Sequence, residues 1–547
     1  MSDRRIVIIG GTQAGPTAAA RAREIDEDAQ ITIIQRGAHL SFGFTGLHHH
    51  LSGEVPSLAA LDQEDARFFH RSYGVETRLH TEATAIDLAA RTVAVHHDGV
   101  DDVIAFDSLV FAVGAGSVDV AGVVGSNVFS LRSFADAQAI VAARKAGAHK
   151  AVVIGGGSFG LEAVDGLVRA GFDVALVERR ERLLPRFGAQ VASGLHASLK
   201  KQARVITGRA VVGADVVEDR VVAVYLDDGV AIAADIVVVC AGVAPRTHLL
   251  RDAGVPLLKD GTVAVDARAA VVGVADVYAC GASVSVVDVV SGQHRWWAQA
   301  AIADKVAQVA GENAAGGSAR CPSFSGAMIV RAGAVSVGRV GLSVAEAVAV
   351  FGENDVDTSL VPGRSHDSWF PASQPLLLEL TSLRGSGRVV GAEACGANGV
   401  DKRLDVVATA IVGQLTVEQL AQLDLCSAAA FNGARDVVNT AAGLAVAERA
   451  GSGRSITPTE FIAGNDWQIV DVRGGGSDDP GLDGAIKIPL AALRARWVEL
   501  DPDKPTVVHC GRGRSGWLAM RLLQQRGFVD VSNLAGGLTA LRREQQS

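Results

Sequence analysis

An α/β architecture with parallel sheets is what this sequence predicts, and three observations predict it. Short apolar strands recur that end at a glycine turn and run into a helix. One such unit is Arg5 to Gly15, a helix through Arg23 and a strand Ile31 to Gln35. The pattern repeats at Ala151 to Gly160, helix Leu161 to Ala170 and strand Asp173 to Glu178. Further strands closing at glycine, Phe106 to Gly114, Asp235 to Gly242 and Asp276 to Gly281, are distributed so that one nucleotide-binding unit of Rossmann type is inserted into another. Finally, 547 residues exceed one core. At roughly 100–200 residues per domain, about three to five domains are expected.

Composition narrows the function class. A hydrophobic share of 48% with 20% charged residues is that of a globular chain rather than a disordered one. A net charge of −9 argues against a nucleic-acid or anionic-membrane footprint. No apolar run of about 18 residues occurs, so no membrane span is expected. The first residues lead straight into a strand without a secretory leader pattern, and the six cysteines form no CxxC pair. Neither a zinc site nor a disulfide framework is indicated, and a reducing cytoplasm is the expected location.

The second glycine turn is the more regular. Gly155, Gly157 and Gly160 form a full GxGxxG between strand and helix. The first allows the tight turn, the second lets a pyrophosphate approach the backbone, and the third lets helix and strand pack closely. The helix N-terminus then offers unpaired N–H groups to the phosphates. Glu178, at the end of the next strand, sits where a carboxylate holds a ribose diol, which favours NADH. Arg179 and Arg180 follow and could take a 2′-phosphate, so NADPH stays open. The first turn keeps Gly10 and Gly15 but has Thr12 between them, and Gln35 stands in place of the strand-end acid. An amide still hydrogen-bonds a ribose, without charge assistance; the other reading is a turn that has lost its ligand.

Later segments complete the organisation. A mixed region spans Ser323 to Gly443. Ala450-Gly-Ser-Gly-Arg-Ser455 reads as a linker, and a last α/β module begins at Thr457.

Taken together these residues resemble the coenzyme A-disulfide reductases and the related NADH oxidases and persulfide reductases, in the form fused to a rhodanese domain. The resemblance rests on Gly10 to Gly15, Ser41-Phe42 with Gly46-Leu47, Gly155 to Glu162, Gly242-Val-Ala-Pro245, Gly391 to Gly396 and Val400 to Ile411. It implies FAD as well as a nicotinamide nucleotide, a homodimer, and an active site shared across the dimer. It also implies a discontinuous FAD-binding domain (1–118 and 245–320), an NAD(P)-binding domain (119–244), an α+β dimerisation domain (321–449) and a rhodanese domain (456–547). Gly114 and Gly281 fall on the flavin side, and Arg23, Ser41 and Thr45 on the substrate side.

The departures cluster at one place. The family's redox cysteine lies in a segment like SFxxCGLPYY; here it reads Ser41-Phe-Gly-Phe-Thr-Gly-Leu-His-His-His50, with Thr45 in the cysteine's position. A hydroxyl cannot enter thiol–disulfide exchange. Ala282 replaces the aspartate that follows Gly281 in relatives, and the dimer-domain tyrosines read Trp369-Phe-Pro-Ala-Ser373 and, at Ser427, serine. His48, His49 and His50 follow the missing thiol. His48 is a candidate proton donor there, against the plainer reading of a polar helix start with exposed rings. Three consecutive histidines cannot face one point, and no metal-ligand set accompanies them. Cys280 and Cys426 fall near flavin and dimer interface by resemblance, and small buried hydrophobes is the simpler expectation for both.

Sulfur chemistry is expected instead in the last module. Trp467 to Arg473 resembles the opening strand of a rhodanese, Gly484 to Leu490 its GAxNIP segment, and Thr506-Val-Val-His-Cys510 a strand ending at the cysteine. Gly511-Arg-Gly-Arg-Ser515 would cradle the sulfur with loop N–H groups flanked by Arg512 and Arg514, a field that favours a thiolate, a persulfide or an anion. Two functions follow. One is an FAD-dependent NAD(P)H oxidoreductase acting on a sulfur species or other small acceptor without a local redox disulfide. The alternative is a rhodanese-type sulfurtransferase on a nucleotide-binding scaffold with little redox turnover.

Overall fold

The computed structural model describes residues 4–62, 64–464, 466–474 and 480–545, which form two compact units. The first comprises the chain up to Arg179 together with Ala203–Gly326. Its leading sheet is parallel and runs Val277–Ala279, Ser108–Phe111, Arg5–Ile9, Gln30–Ile34, Glu76–Arg78. Ile6, Val7, Ile8 and Ile9 are all buried, as expected of a central strand covered on both faces. One covering pair is the helices Ala14–Ile25 and Ala300–Ala314. They cross so closely that a Cβ on Gly311 would lie 2.1 Å from the carbonyl oxygen of Ala18.

The second sheet of this unit is also parallel, in the order Arg204–Thr207, Asp173–Glu178, Lys150–Ile154, Ile236–Val239, Val128–Phe129. The chain leaves the first sheet beyond Ala115–Ser117 and returns through Val243–Pro245, two short strands paired antiparallel. The nested arrangement read from the glycine-terminated strands is therefore present.

The second unit contains Arg180–Gln202 and the chain from Ala327 onward. An antiparallel sheet runs Met328–Ala332, Val335–Gly341, Val389–Gly396, Pro375–Leu383, Val356–Arg364. Helix Val400–Val412 packs on it, with Arg403 buried against Asp436 at 2.9 Å. A parallel sheet then runs Ser455–Ile456, Val531–Leu534, Thr506–His509, Gln468–Asp471, Ile486–Lys487.

The linker expectation needs correction. The segment from Ala450 to Ser455 is short and fastened. The Ser452 N–H donates to Ala447 O at 2.9 Å, the Ser455 N–H to Glu448 Oε1 at 2.8 Å, and Arg521 donates to Ser452 O. Glycine and serine composition suggested a free tether, but these bonds spend its backbone groups on both flanking elements. Among the described residues no helix is long and apolar enough to cross a membrane.

Candidate active site

The two glycine turns are built alike. Gly10 and Gly155 adopt φ of +106° and +111°, where a side chain would also strike the carbonyls of Ala112 and Cys240. A Cβ on Gly15 or Gly160 would lie 1.8 Å from the carbonyl oxygen of Gly10 or Gly155, so only glycine lets each helix start this close to its strand. Gly157, the middle position, faces open space. Each turn is pinned by the strand-end residue identified above. The Gly156 N–H donates to Glu178 Oε2 at 2.6 Å, and the Gly11 N–H to Gln35 Oε1 at 3.1 Å. Gln35 also donates from Nε2 to His39 O at 3.0 Å, so its amide is tied at both ends to this loop.

A cleft of about 650 Å³ opens beside the first turn. That lies in the range of about 300–1,000 Å³ for cofactor sites. Gly10, Gln35, Gly114, Gly281 and Ala282 line it, which brings five of the sequence-predicted positions together. Sequence reasoning missed its cations. Arg36, Arg132 and Arg246 also line the cleft, and no spacing linked them. Arg132 lies 5.4 Å from the ring centres of both Phe44 and Phe159, and burial lowers its pKa, with Arg246 adding to the effect. Glycine-lined backbone at one end, guanidinium groups for phosphate charge and aromatic walls fit FAD. The Gly155–Gly160 turn with Glu178 fits a nicotinamide dinucleotide.

The remaining substrate-side residues are placed elsewhere. Arg23 is a structural residue: its guanidinium donates to the carbonyls of Tyr73, Asp26, Glu27 and Gly74, tying a helix end to the following strand region. Ser41 has φ of +53° and donates from Oγ to Glu64 at 3.2 Å. Thr45 is exposed in the short helical turn Phe44–Gly46 and does not line the cleft, whereas its neighbours Phe42 and Phe44 do. The histidines diverge. Nδ1 of His48 stands 3.9 Å from Glu162, His49 bonds Glu54 at 2.5 Å, and His50 bonds Val55 O at 2.9 Å. None lines the cleft. Burial pushes the Glu162 carboxyl up to about 7, and it faces the helix that carries His48. This group was legible only as the residue two places after Gly160.

Cysteine environments differ sharply. Burial pushes the thiols of Cys240 up to about 12 and of Cys321 and Cys395 up to about 11, and raises Cys280 further. Cys426 is exposed, contrary to the expectation of a buried one, because it lies in the irregular stretch after helix Val417–Ala421. Cys510 directly follows the strand Thr506–His509, and its Sγ accepts the Gly513 N–H at 3.2 Å. It is 6% exposed, while Arg512 and Arg514 beside it are exposed. Beneath the loop, Asp471 pairs with Arg473 at 2.7 Å and stands 3.9 Å from the buried His509. Among the described residues no cluster of metal-binding side chains occurs.

Comparison with known proteins agrees with this geometry. The profile of the pyridine nucleotide-disulphide oxidoreductases matches residues 4–305, and that of the rhodanese-like domain residues 459–544. A protein of Methanocaldococcus jannaschii named NADH oxidase is 27% identical over 436 residues, 78% of this chain and 94% of that one. An NAD(P)H coenzyme A polysulfide/persulfide reductase of Pyrococcus horikoshii is 27% identical over 433 residues, 78% and 95% of the two chains. Among solved structures, an NAD-dependent persulfide reductase from A. fulgidus superposes with a TM-score of 0.92 at 31% identity, covering 98% of this chain and 99% of the other. CoADR-RHD of Bacillus anthracis gives 0.94 at 26%, covering 100% and 98%. With the profile spanning more than half its length and a solved counterpart matching nearly all of it, this chain belongs to the pyridine nucleotide-disulphide oxidoreductases, enzymes that work with FAD and NAD(P)H, and carries a rhodanese-like domain behind that core.

Proposed function

We propose that this enzyme uses NAD(P)H and FAD to reduce a sulfur species, with Cys510 as its sulfur carrier and without a thiol at the flavin. The observation that carries the reading is the contrast between Thr45 and Cys510. The position of the family thiol holds a hydroxyl, while among the described residues Cys510 is the one cysteine whose sulfur accepts a backbone N–H. An N–H aimed at sulfur stabilises the negative charge that nucleophilic attack needs.

FAD, when bound, supplies a two-electron carrier that a reduced nicotinamide can charge. This chain's own part is to hold and to exclude. Gly10, Gln35, Gly114, Gly281 and Ala282 form the flavin side of the cleft, and Gly15 lets the helix behind it start close to its strand. Gly155, Gly157, Gly160 and Glu178 hold the nicotinamide nucleotide, and Glu178 disfavours a 2′-phosphate. Phe44 and Phe159 keep water from the cleft, and Arg132 between them answers negative charge. At Cys510 the thiolate attacks the outer sulfur of a donor R–S–SH, so that Cys510–S–SH forms and R–S⁻ leaves, to be protonated by water. Two electrons and two protons, drawn from NADH and one further proton, return Cys510–SH and hydrogen sulfide. Arg512 and Arg514 attract the anionic donor. The acceptor is thus sulfur held on Cys510 or the same species free in solution.

NADH consumption with a persulfide donor, wild type beside Cys510→Ser, tests this. The variant is expected to lose both the sulfur adduct on its peptide and the donor-dependent turnover. NADPH run in parallel is expected to be slower. Adduct loss with unchanged turnover would assign reduction to free persulfide; turnover by neither protein would sink the reading. The second reading, a sulfurtransferase on a non-redox scaffold, draws on Ala282 and Gln35, which lack the acids that grip flavin. Absence of any flavin absorbance after incubation with FAD would favour it. We further propose a homodimer, supported by Trp369 and Phe431, which are 70% and 71% exposed in neighbouring loops of the second unit. Sedimentation is expected to give twice the chain mass, and Trp369→Asp to lower it toward one.

A further inference from the structure

One histidine of the flavin cleft carries a carboxylate partner. His39 lines the cleft, and its Nδ1 meets Asp62 Oδ2 at 2.9 Å. Both residues are held from several sides. Gln35 Nε2 donates to His39 O at 3.0 Å, and the His39 ring packs on Phe134 with centres 4.5 Å apart. Asp62 follows the short helical turn Leu58–Leu61. The Gly43 N–H donates to Leu61 O at 2.8 Å, and a Cβ on Gly46 would lie 2.5 Å from Leu61 Cδ2, so this turn is seated closely on the segment that follows His39.

Two open valences give the pair its chemistry. Nε2, on the opposite side of the ring from Nδ1, makes no hydrogen bond among the described residues, and the side chain is 40% exposed. Asp62 Oδ1 is buried and has no partner among the described residues, so the imidazole alone answers this carboxylate there. A neutral imidazole held in this way donates from Nδ1 and presents a lone pair at Nε2. An imidazolium donates from both nitrogens. An anion that can only accept hydrogen bonds is repelled by the first state and bound by the second. The other charged groups around the cleft leave that role to His39. Arg36 is paired with Glu82 at 3.1 Å, and Asp136 accepts the Arg132 N–H at 2.9 Å. Arg132 and Arg246 are fixed cations, and His248, which also lines the cleft, is exposed.

We propose that His39 binds the pyrophosphate of FAD from Nε2 as an imidazolium, with Asp62 as its positioning residue, so that the cofactor enters together with a proton. This rests on the cleft being the flavin site. The pyrophosphate is an anion whose oxygens only accept, which selects the protonated ring. Asp62 offsets the added charge, since the pair is neutral once the ring is protonated. Affinity for FAD is therefore full where the ring is already protonated and is lost as pH rises beyond it. A cleft that lacks an acid at Ala282 and at Gln35 thus gains a hold on the cofactor that depends on pH.

Flavin fluorescence on dilution of the full-length holoprotein gives the FAD dissociation constant at each pH from 6 to 8.5. That constant is expected to rise about five- to tenfold over the range. His39→Gln is expected to give a flat profile, and His248→Gln, at the other histidine of the cleft, to keep the native one. Glu162, whose carboxyl burial pushes up to about 7, is present in both variants, so a flat profile in His39→Gln alone removes it as the source. Asp62→Asn keeps an acceptor for Nδ1 without its charge, and its loss of affinity is expected to begin at lower pH than in the native chain. Should His39→Gln fail to fold, this second variant decides, and an unshifted profile in it overturns the inference. A flat native profile, or a native profile that persists in His39→Gln, overturns it as well and leaves FAD in the cleft. Binding of FAD at no pH defeats the cleft as the flavin site, and the inference with it.

Discussion

Ala282 shows how a single side chain sets the grip on a cofactor. It lines the cleft directly after Gly281, whose φ of +77° places the backbone against the helix Ala14–Ile25. Its carbonyl is already taken by the Trp296 indole N–H at 3.0 Å, so this position offers the ribityl chain no charged acceptor. A hydrogen bond to a charged group contributes about 1.5–3 kcal/mol, roughly ten- to a hundredfold in affinity. Ala282→Asp is therefore expected to retain FAD more strongly than the native chain by a factor in that range. Flavin fluorescence during dilution measures it, and equal release from both proteins would show that the ribityl chain is held by other groups. Gln35 works differently. Its amide ties the turn at Gly11 to the loop at His39, so it supports the cleft mechanically whatever it gives the ribose.

At the scale of elements, the cysteine loop is shaped by what packs beneath it. Gly536 and Gly537 have φ of +68° and +59° where helix Gly537–Gln545 begins. A Cβ on Gly537 would stand 2.4 Å from Cys510 O and 2.8 Å from the amide nitrogens of Arg512 and Gly513. The Gly513 amide is the one that donates to Cys510 Sγ. Gly537→Ala is expected to displace the loop and so abolish sulfur loading of Cys510, while FAD binding stays native because the cleft belongs to the first unit. Peptide mass after exposure to a persulfide donor, alongside flavin absorbance, checks both halves. Retained loading would mean that the loop tolerates the shift.

The molecule as a whole was legible wherever local chemistry repeats, and opaque wherever distant segments meet. Gly10, Gly15, Gly155 and Gly160 could be read because close strand–helix approach leaves no alternative to glycine, and Cys510 because its loop is contiguous. Arg132 and Arg246 could not, since each gains its setting from residues far away in the chain. The tether from Ala450 to Ser455 was misread for the same reason: composition does not reveal that Glu448 accepts its backbone N–H. Buried carboxylates are a further consequence of tertiary structure, and they set a pH dependence. Burial pushes Glu162 and Glu448 up to about 7, and raises Glu379 and Glu393, which pair across neighbouring strands. The folded chain therefore holds protons that the unfolded chain releases near its ordinary value of about 4.3. Stability from these groups is complete below that value and is lost as pH rises through about 7. Asp107, held down to about 2 by Arg5, acts only in more acid solution. His196, lowered by burial, opposes the trend at the acid end of the window, where the unfolded chain takes up its proton first. The thermal midpoint is expected to fall between pH 5.5 and 8. Glu448→Gln keeps an acceptor for the Ser455 N–H but removes one titrating group, so its decline over the same window is expected to be shallower. Parallel declines in the two proteins would show that Glu448 is already ionised in the folded state, with its buried charge answered by a group other than a proton.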